Sequence, residues 1–227
     1  MGRIVRLGRL AGLVAIPLLA VGLYLALVWA PPDAMMGNVQ RIMYVHFPSW
    51  IAVALCYLTA FTCSVLYLVR RRPHFDHLAH AGAEVGVLVN TTGLITGSIW
   101  GRPTWGVWWT WDPRLTTTAI MLVIFVGYLL IRAFVEDPDA RARTAALVAI
   151  VGFVNVPIVY FSVRWWRTLH QVQSSPNTVD PTMVVALRVM MVTFALIACY
   201  LMSRRYELAR LEGEAERMEL QPGAARG

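Results

Sequence analysis

Thirteen residues, Trp100 to Asp112 (WGRPTWGVWWTWD), hold five tryptophans, with Arg102 inside the stretch and Arg114 just beyond it. Gly101, Pro103 and Gly106 interrupt any regular helix at the start of the stretch. If Trp105 to Asp112 then forms a short helix, Trp105, Trp108, Trp109 and Asp112 fall at i, i+3, i+4 and i+7 on one face. Trp100 and Trp111 flank that aromatic shelf, which has a single carboxylate at its edge. Indole is apolar in body and polar at its N–H, so such a surface meets lipid headgroups, a flat apolar ligand, or both. A belt at the bilayer interface is the simpler account of any one tryptophan. Five in one short stretch favour a platform for a ligand.

Two histidines accompany the shelf. His46 sits in RIMYVHFPSW and His170 in VRWWRTLHQ, one on each side of it in the chain. A lone interfacial histidine is more often a hydrogen-bonded structural residue. Two beside an aromatic surface fit axial ligation of haem iron, with the indoles against the porphyrin's faces and edge. Arg102, Arg114, Arg164, Arg167 and Arg188 could pair with propionates through charge-assisted hydrogen bonds, or with headgroup phosphates.

The elements that must position these groups are apolar helices. The chain has 227 residues, 58% of them hydrophobic, with a mean hydropathy of +0.57. A bilayer-spanning helix needs about 20 apolar residues, and candidate spans fall at roughly 10–30, 49–69, 81–100, 115–135, 144–163 and 183–203. The expectation is an all-α integral membrane protein with six transmembrane helices over 1–203, a Trp-rich loop at 100–114 and a charged tail at 204–227. The N-terminal run is long enough to span and closes on no clean cleavage site, so it reads as a retained helix. The net charge of +7 rests entirely on arginine, since the sequence has no lysine. Fourteen of the twenty arginines fall at the N-terminus, in the second and fourth loops and in the tail. The positive-inside rule therefore puts both termini in the cytoplasm and makes the Trp-rich loop periplasmic. All nine tryptophans then lie at the outer face, whereas an ordinary aromatic belt flanks both interfaces. The positive charge is topogenic, and no nucleic-acid partner is called for.

The remaining residues say less. Cys56, Cys63 and Cys199 follow no metal or redox spacing, and no C-x-x-C-H attachment site is present. His74, His77 and His80 are spaced for a metal, but read more simply as a polar juxtamembrane turn with Asp76 as a local partner. Glu84, Asn90, Thr91 and Thr92 on the third span mark it as a helix facing the bundle interior. Asn155 with Pro157 predicts a kink or a polar contact within the fifth. The tail alternates Arg and Glu around Leu208 and Leu211, as a solvated cytoplasmic helix does.

TGSIWGRPTWGVWWTWDPRLT resembles the tryptophan-rich WWD signature of haem-handling proteins of cytochrome c maturation, and the flanking RIMYVHFPSW and SVRWWRTLHQ resemble the histidine regions of its haem exporter protein C (CcmC) branch. The likeness runs from about Arg41 to Arg205, with the three motifs in the family's order. It implies a protein of the bacterial inner membrane that holds haem b at the periplasmic face and presents it to a membrane-tethered haem chaperone. An ATP-binding-cassette pair, a small single-span subunit and membrane lipids would be the other partners. By position, His46 and His170 would be the axial ligands. Trp100, Trp105, Trp108, Trp109, Trp111 and Asp112 would form the haem platform. The resemblance assigns no arginine, and no residue is assigned to catalysis; a lyase-like part in loading the chaperone is left open.

Two other classes stand beside this reading. A transporter or channel subunit for haem or another solute would want polar groups along several spans and at both faces, whereas the informative residues crowd one face. A transmembrane cytochrome b would want histidine pairs within helices near both faces, and that pattern is missing.

Overall fold

The computed structural model describes residues 2–170 and 179–220. Its α-helices are α1 (Arg3–Tyr24), α2 (Met43–Arg70), α3 (Pro73–Trp105), α4 (Pro113–Phe134), α5 (Pro138–Phe153), α6 (Asn155–Trp165) and α7 (Pro181–Leu220). A π-helical turn, Leu25–Trp29, extends α1, and a 3-10 turn, Asn38–Ile42, leads into α2. The helices α5 and α6 follow one another with a single interruption at Val154, so the described residues form a bundle of six rods. Among the described residues the β-structure is confined to an isolated bridge between Asp33 and Gly37.

Three of the helix starts follow one recipe. Pro113, Pro138 and Pro181 each open a helix and each follows an aspartate. Proline suits the first helical position because its missing N–H would be unpaired there anyway. The aspartate accepts a free amide of the first turn: Asp112 from Arg114 at 2.9 Å, Asp137 from Ala140 at 2.6 Å and Asp180 from Thr182 at 2.8 Å.

Among the described residues five stretches are long and apolar enough to cross a membrane: Arg3–Trp29, Asn38–Arg70, Pro113–Phe134, Pro138–Trp165 and Pro181–Glu216. Six were expected, and the one outside this set is α3. Its surroundings explain the difference. The helix packs most extensively on α2 and also touches α7 and α4, so it does not need an apolar surface all round. Glycines form its α2 face. A Cβ at Gly82 would lie 2.7 Å from the Cys56 carbonyl oxygen, and one at Gly86 would lie 2.3 Å from the Tyr57 ring. Small residues at such spacing let two backbones approach closely, and packing rather than hydrophobicity then joins them. The expected interior polar face is met by Asn90, which is buried and donates to Tyr57 Oη at 3.3 Å.

Tyr57 also stacks on Phe125 of α4, ring centroids 3.7 Å apart, within a cluster that includes Val53, Met121, Tyr128 and Ala149. The expected break in the fifth span falls at Val154. Just beyond it Asn155 donates to the Thr117 carbonyl at 2.7 Å.

Several local expectations are corrected. His74, His77 and His80 lie on the first turns of α3 rather than in a loop, because Pro73 starts the helix before the apolar run. Asp76 pairs with Arg132 of α4 through contacts of 2.6 and 3.0 Å. His46 and Pro48 lie inside α2, which the 3-10 turn starts early. No helix end separates the last span from the tail, for α7 runs unbroken through 204 to Leu220. Cys56 and Cys63 are buried free thiols.

Candidate functional site

The tryptophans and the two outer histidines do gather at one end of the bundle, where α1, α3 and α6 end and α2, α4 and α7 begin. Cross-links tie these ends together. Arg41 donates to the Ala26 carbonyl at 2.6 Å, holding the π-helical turn after α1 against the start of α2. Gln40 of the same 3-10 turn donates to Tyr44 Oη at 3.1 Å and to Met183 Sδ of α7 at 3.5 Å.

The shelf itself is not a helix. The α3 helix passes through Gly101 and Pro103, runs to Trp105 and stops at Gly106, whose φ of 79° is the left-handed conformation that ends helices. Arg102 donates to the Gly106 carbonyl and closes that cap. Residues 107–112 are irregular, so Trp105, Trp108, Trp109 and Asp112 do not share a helical face. Three successive apolar residues, Val107 to Trp109, offer no one-sided pattern that a short helix could bury. Ser98 instead donates to the Trp108 carbonyl at 2.7 Å and folds the segment back on α3.

The tryptophans fall into two groups as a result. Trp100 and Trp105, both on α3, meet the histidines edge to face: Trp100 with His46 at 5.7 Å, and Trp105 with His170 at 4.9 Å. Trp108, Trp109 and Trp111 are 59%, 38% and 81% exposed, with Trp109 set edge-on to Trp111 at 5.8 Å. The inner pair flanks the histidines and the outer three form an open surface.

His46 lies in a slot cut by glycine. A Cβ at Gly97 would come within 2.9 Å of the His46 Cε1. The His46 Nδ1 lies 3.1 Å from the Gly93 carbonyl and 3.2 Å from Thr96 Oγ1, and the Trp50 indole N–H donates to Nε2 at 3.1 Å. Those partners fit a neutral ring with its proton on Nδ1.

His170 is placed by Asp112. The carboxylate is 6% exposed and accepts four bonds. One oxygen takes the Thr168 hydroxyl at 2.6 Å and the Leu169 amide at 2.7 Å; the other takes the Arg114 amide at 2.9 Å and faces His170 Nδ1 at 3.2 Å. Burial works against the charged carboxyl, but these donors outweigh it and hold Asp112 below the usual carboxylate range. For His170, burial is the leading influence and lowers its pKa; the Arg114 charge acts the same way, and the attraction of Asp112 only partly opposes them. The ring is therefore neutral near pH 7, and its Nδ1–H donates to Asp112. That leaves the lone pair on Nε2, the arrangement a carboxylate gives a histidine wherever one orients a metal-binding imidazole.

Four buried polar atoms in this part of the chain lack a partner: Trp100 Nε1, Thr110 Oγ1, Arg114 Nε and Thr116 Oγ1. Buried groups are nearly always hydrogen-bonded, so orphaned donors beside two histidines mark a place where a further molecule could bind. Arg114 spends one terminal nitrogen on the Tyr160 carbonyl at 3.3 Å. Among the described residues no three His, Cys, Asp or Glu side chains gather about a point.

Sequence reasoning passed over Thr168, Gly93, Thr96 and Gly97. Only the two glycines carried a signal, their four-residue spacing on one helical face. Asp112, expected at the edge of the shelf as part of the haem platform, has two roles in the structure, helix cap and histidine clamp.

A family model described as heme exporter protein C matches residues 3–221. The chain is 38% identical over 200 residues to a heme exporter protein C of Bradyrhizobium diazoefficiens, covering 85% of this chain and 75% of that one. Against proteins of the same description it is 34% identical in Haemophilus influenzae, over 93% of this chain and 88% of the relative, and 34% in Escherichia coli, over 82% and 77%. With the match running nearly from end to end of this helical bundle, the chain belongs to the heme exporter protein C family.

Proposed function

We propose that this multi-pass inner-membrane protein binds haem at its periplasmic end, between His46 and His170, and presents it to a membrane-tethered chaperone for building c-type cytochromes. One observation carries the reading. Asp112, fixed at the start of α4, clamps His170 beside Trp105, while α3 sets His46 beside Trp100. The residues fit the group: two neutral imidazoles whose Nδ1 sides face oxygen acceptors, indoles at their edges, and the unpaired donors of Trp100 and Arg114. The relatives' names, heme exporter protein C and cytochrome c biosynthesis ccmC-like protein, point the same way.

When bound, haem would supply the iron that the imidazoles ligate and the vinyl edge that a partner's nucleophile takes. The protein's part is to orient and to exclude water. Trp100 and Trp105 cover the histidines, and Arg114 could meet a propionate through its free Nε. Arg102, which caps α3, would have to leave that carbonyl to do the same. Trp108, Trp109 and Trp111 are placed to cover an exposed edge and to meet the chaperone. An ATP-binding-cassette pair and a small single-span subunit would be the further partners. A conduit through the bundle is less well supported, because the Tyr57–Phe125 stack fills the middle and Asn90 is bonded to Tyr57 there.

The test is the visible and resonance Raman spectrum of the purified protein with haem. A six-coordinate bis-imidazole spectrum should be lost on His46→Ala and on His170→Ala, with partial recovery in added imidazole. Unchanged spectra in both variants would remove the reading.

A further inference from the structure

The two histidines differ in how free they are to take a ligand. His170 is turned by Asp112 through Nδ1, and its Nε2 makes no hydrogen bond to a described residue. His46 is different: its Nδ1 faces Gly93 and Thr96, and its Nε2 lone pair receives the Trp50 N–H at 3.1 Å. A lone pair that accepts a hydrogen bond cannot also bind a metal. On the proposed haem reading, His46 is therefore a ligand with its ligating atom covered.

The covering group is held in place by packing. Trp50 is one helical turn from His46 on the same face of α2, with the rings edge to face at 5.7 Å and 81°. Its six-membered ring lies against bare backbone at Gly93, where a Cβ would be 2.7 Å from Cζ2 and 2.9 Å from Cη2. The same glycine thus accepts from His46 through its carbonyl and admits the Trp50 ring through its missing side chain. Both halves of the arrangement depend on one residue of α3.

We propose that Trp50 is a reversible placeholder on His46: its indole N–H leaves Nε2 when an axial ligand contact forms and returns when the macrocycle is released. For a protein that must hand its cargo on, such a competitor has a clear use. Two unopposed imidazoles hold iron tightly, whereas an internal donor competing for one of them lowers the affinity on that side and shortens the lifetime of the bound state. Trp50 acts here as a positioning residue, through His46. Release would begin at His46, with His170, fastened by Asp112, the last contact to break.

The inference rests on the haem reading for its purpose but can be tested without haem. Diethyl pyrocarbonate acylates imidazole nitrogens that carry an available lone pair, and mass spectrometry reads His46 and His170 separately. In haem-free protein, Trp50→Phe should raise the labelling rate of His46 about two- to tenfold, the factor that one net hydrogen bond represents, and leave His170 unchanged. Gly93→Ala tests the same bond from the other side, since its methyl displaces the Trp50 ring while keeping the carbonyl. Haem added to either variant should bind faster and leave more slowly than from the unaltered protein, with the bis-imidazole spectrum kept. Unchanged His46 labelling in both variants would overturn the placeholder. If His46→Ala left the haem spectrum unaltered, the haem reading would fail, while the labelling would still report whether Trp50 covers His46.

Discussion

Asp112 and His170 are 58 residues apart in the chain, and the carboxylate Oδ1 of one lies 3.2 Å from Nδ1 of the other. The contact joins the N-cap residue of α4 to the segment after α6, and through Thr168 and Leu169 the same carboxylate fixes the local backbone. A helix cap has become the support of a candidate ligand.

Asp112→Asn separates these duties. Asparagine caps helices as well as aspartate does, so thermal stability should fall only by about 1–2 kcal/mol. The amide no longer fixes the His170 tautomer, and loss of a carboxylate behind a metal-binding histidine typically costs about 10–100-fold in affinity. Haem titration beside a thermal melt should show the first loss far exceeding the second. Equal losses would make Asp112 a cap alone.

Acid should weaken the site in two stages. Because the folded state lowers the His170 pKa, the unfolded chain takes up the extra proton as pH falls below about 6.5, and stability drops from there. The Asp112 pKa is also lowered, so its contribution is full above about 4 and disappears as pH falls through its folded value. The melting temperature should therefore be flat above neutrality, decline below about pH 6.5 and decline again below about pH 4. His170→Gln should shrink the first stage and keep the second.

The tryptophans should divide by position. Trp100→Ala and Trp105→Ala remove aromatic contacts to the histidines, each worth about 0.5–1.5 kcal/mol beyond burial, and should reduce haem retention. A Trp108→Ala, Trp109→Ala double variant removes exposed rings only. It should fold and keep haem, yet fail to load the chaperone at matched expression. Normal loading in that variant would reduce the outer tryptophans to an interfacial anchor.

At the opposite end, Arg132 and Asp76 form a buried ion pair with side chains 11% and 12% exposed. Removing one partner strands the other charge, so Asp76→Ala should destabilise by about 3–5 kcal/mol. Replacing both, as Asp76→Leu with Arg132→Met, should cost less. Denaturation of the two variants in one detergent makes the comparison.

The orientation of the bundle rests on the arginine distribution. A reporter fused after Gly106 should behave as periplasmic, and reporters after Arg72 or at Gly227 as cytoplasmic. The reverse pattern would put the tryptophans inside and remove the presentation reading.

The sequence by itself determined the helical rods, the starts at Asp–Pro, the break near Asn155 and the grouping of His46, His170 and the tryptophans at one end. Those properties are local: hydropathy sums along a segment, and an aspartate before a proline caps whatever helix follows. It also carried the family signature. The tertiary structure decided the rest. It ended α3 at Gly106, so the aromatic shelf became an inner pair and an open trio rather than one helical face. It admitted α3 to the bundle despite its modest hydropathy, because glycines facing α2 replace lipid contact with close packing. It joined Asp112 to His170 and covered His46 with Trp50, through hydrogen bonds of 3.2 and 3.1 Å. A difference of an ångström in how two helices approach makes or abolishes such a bond, and no periodicity in the chain records that distance.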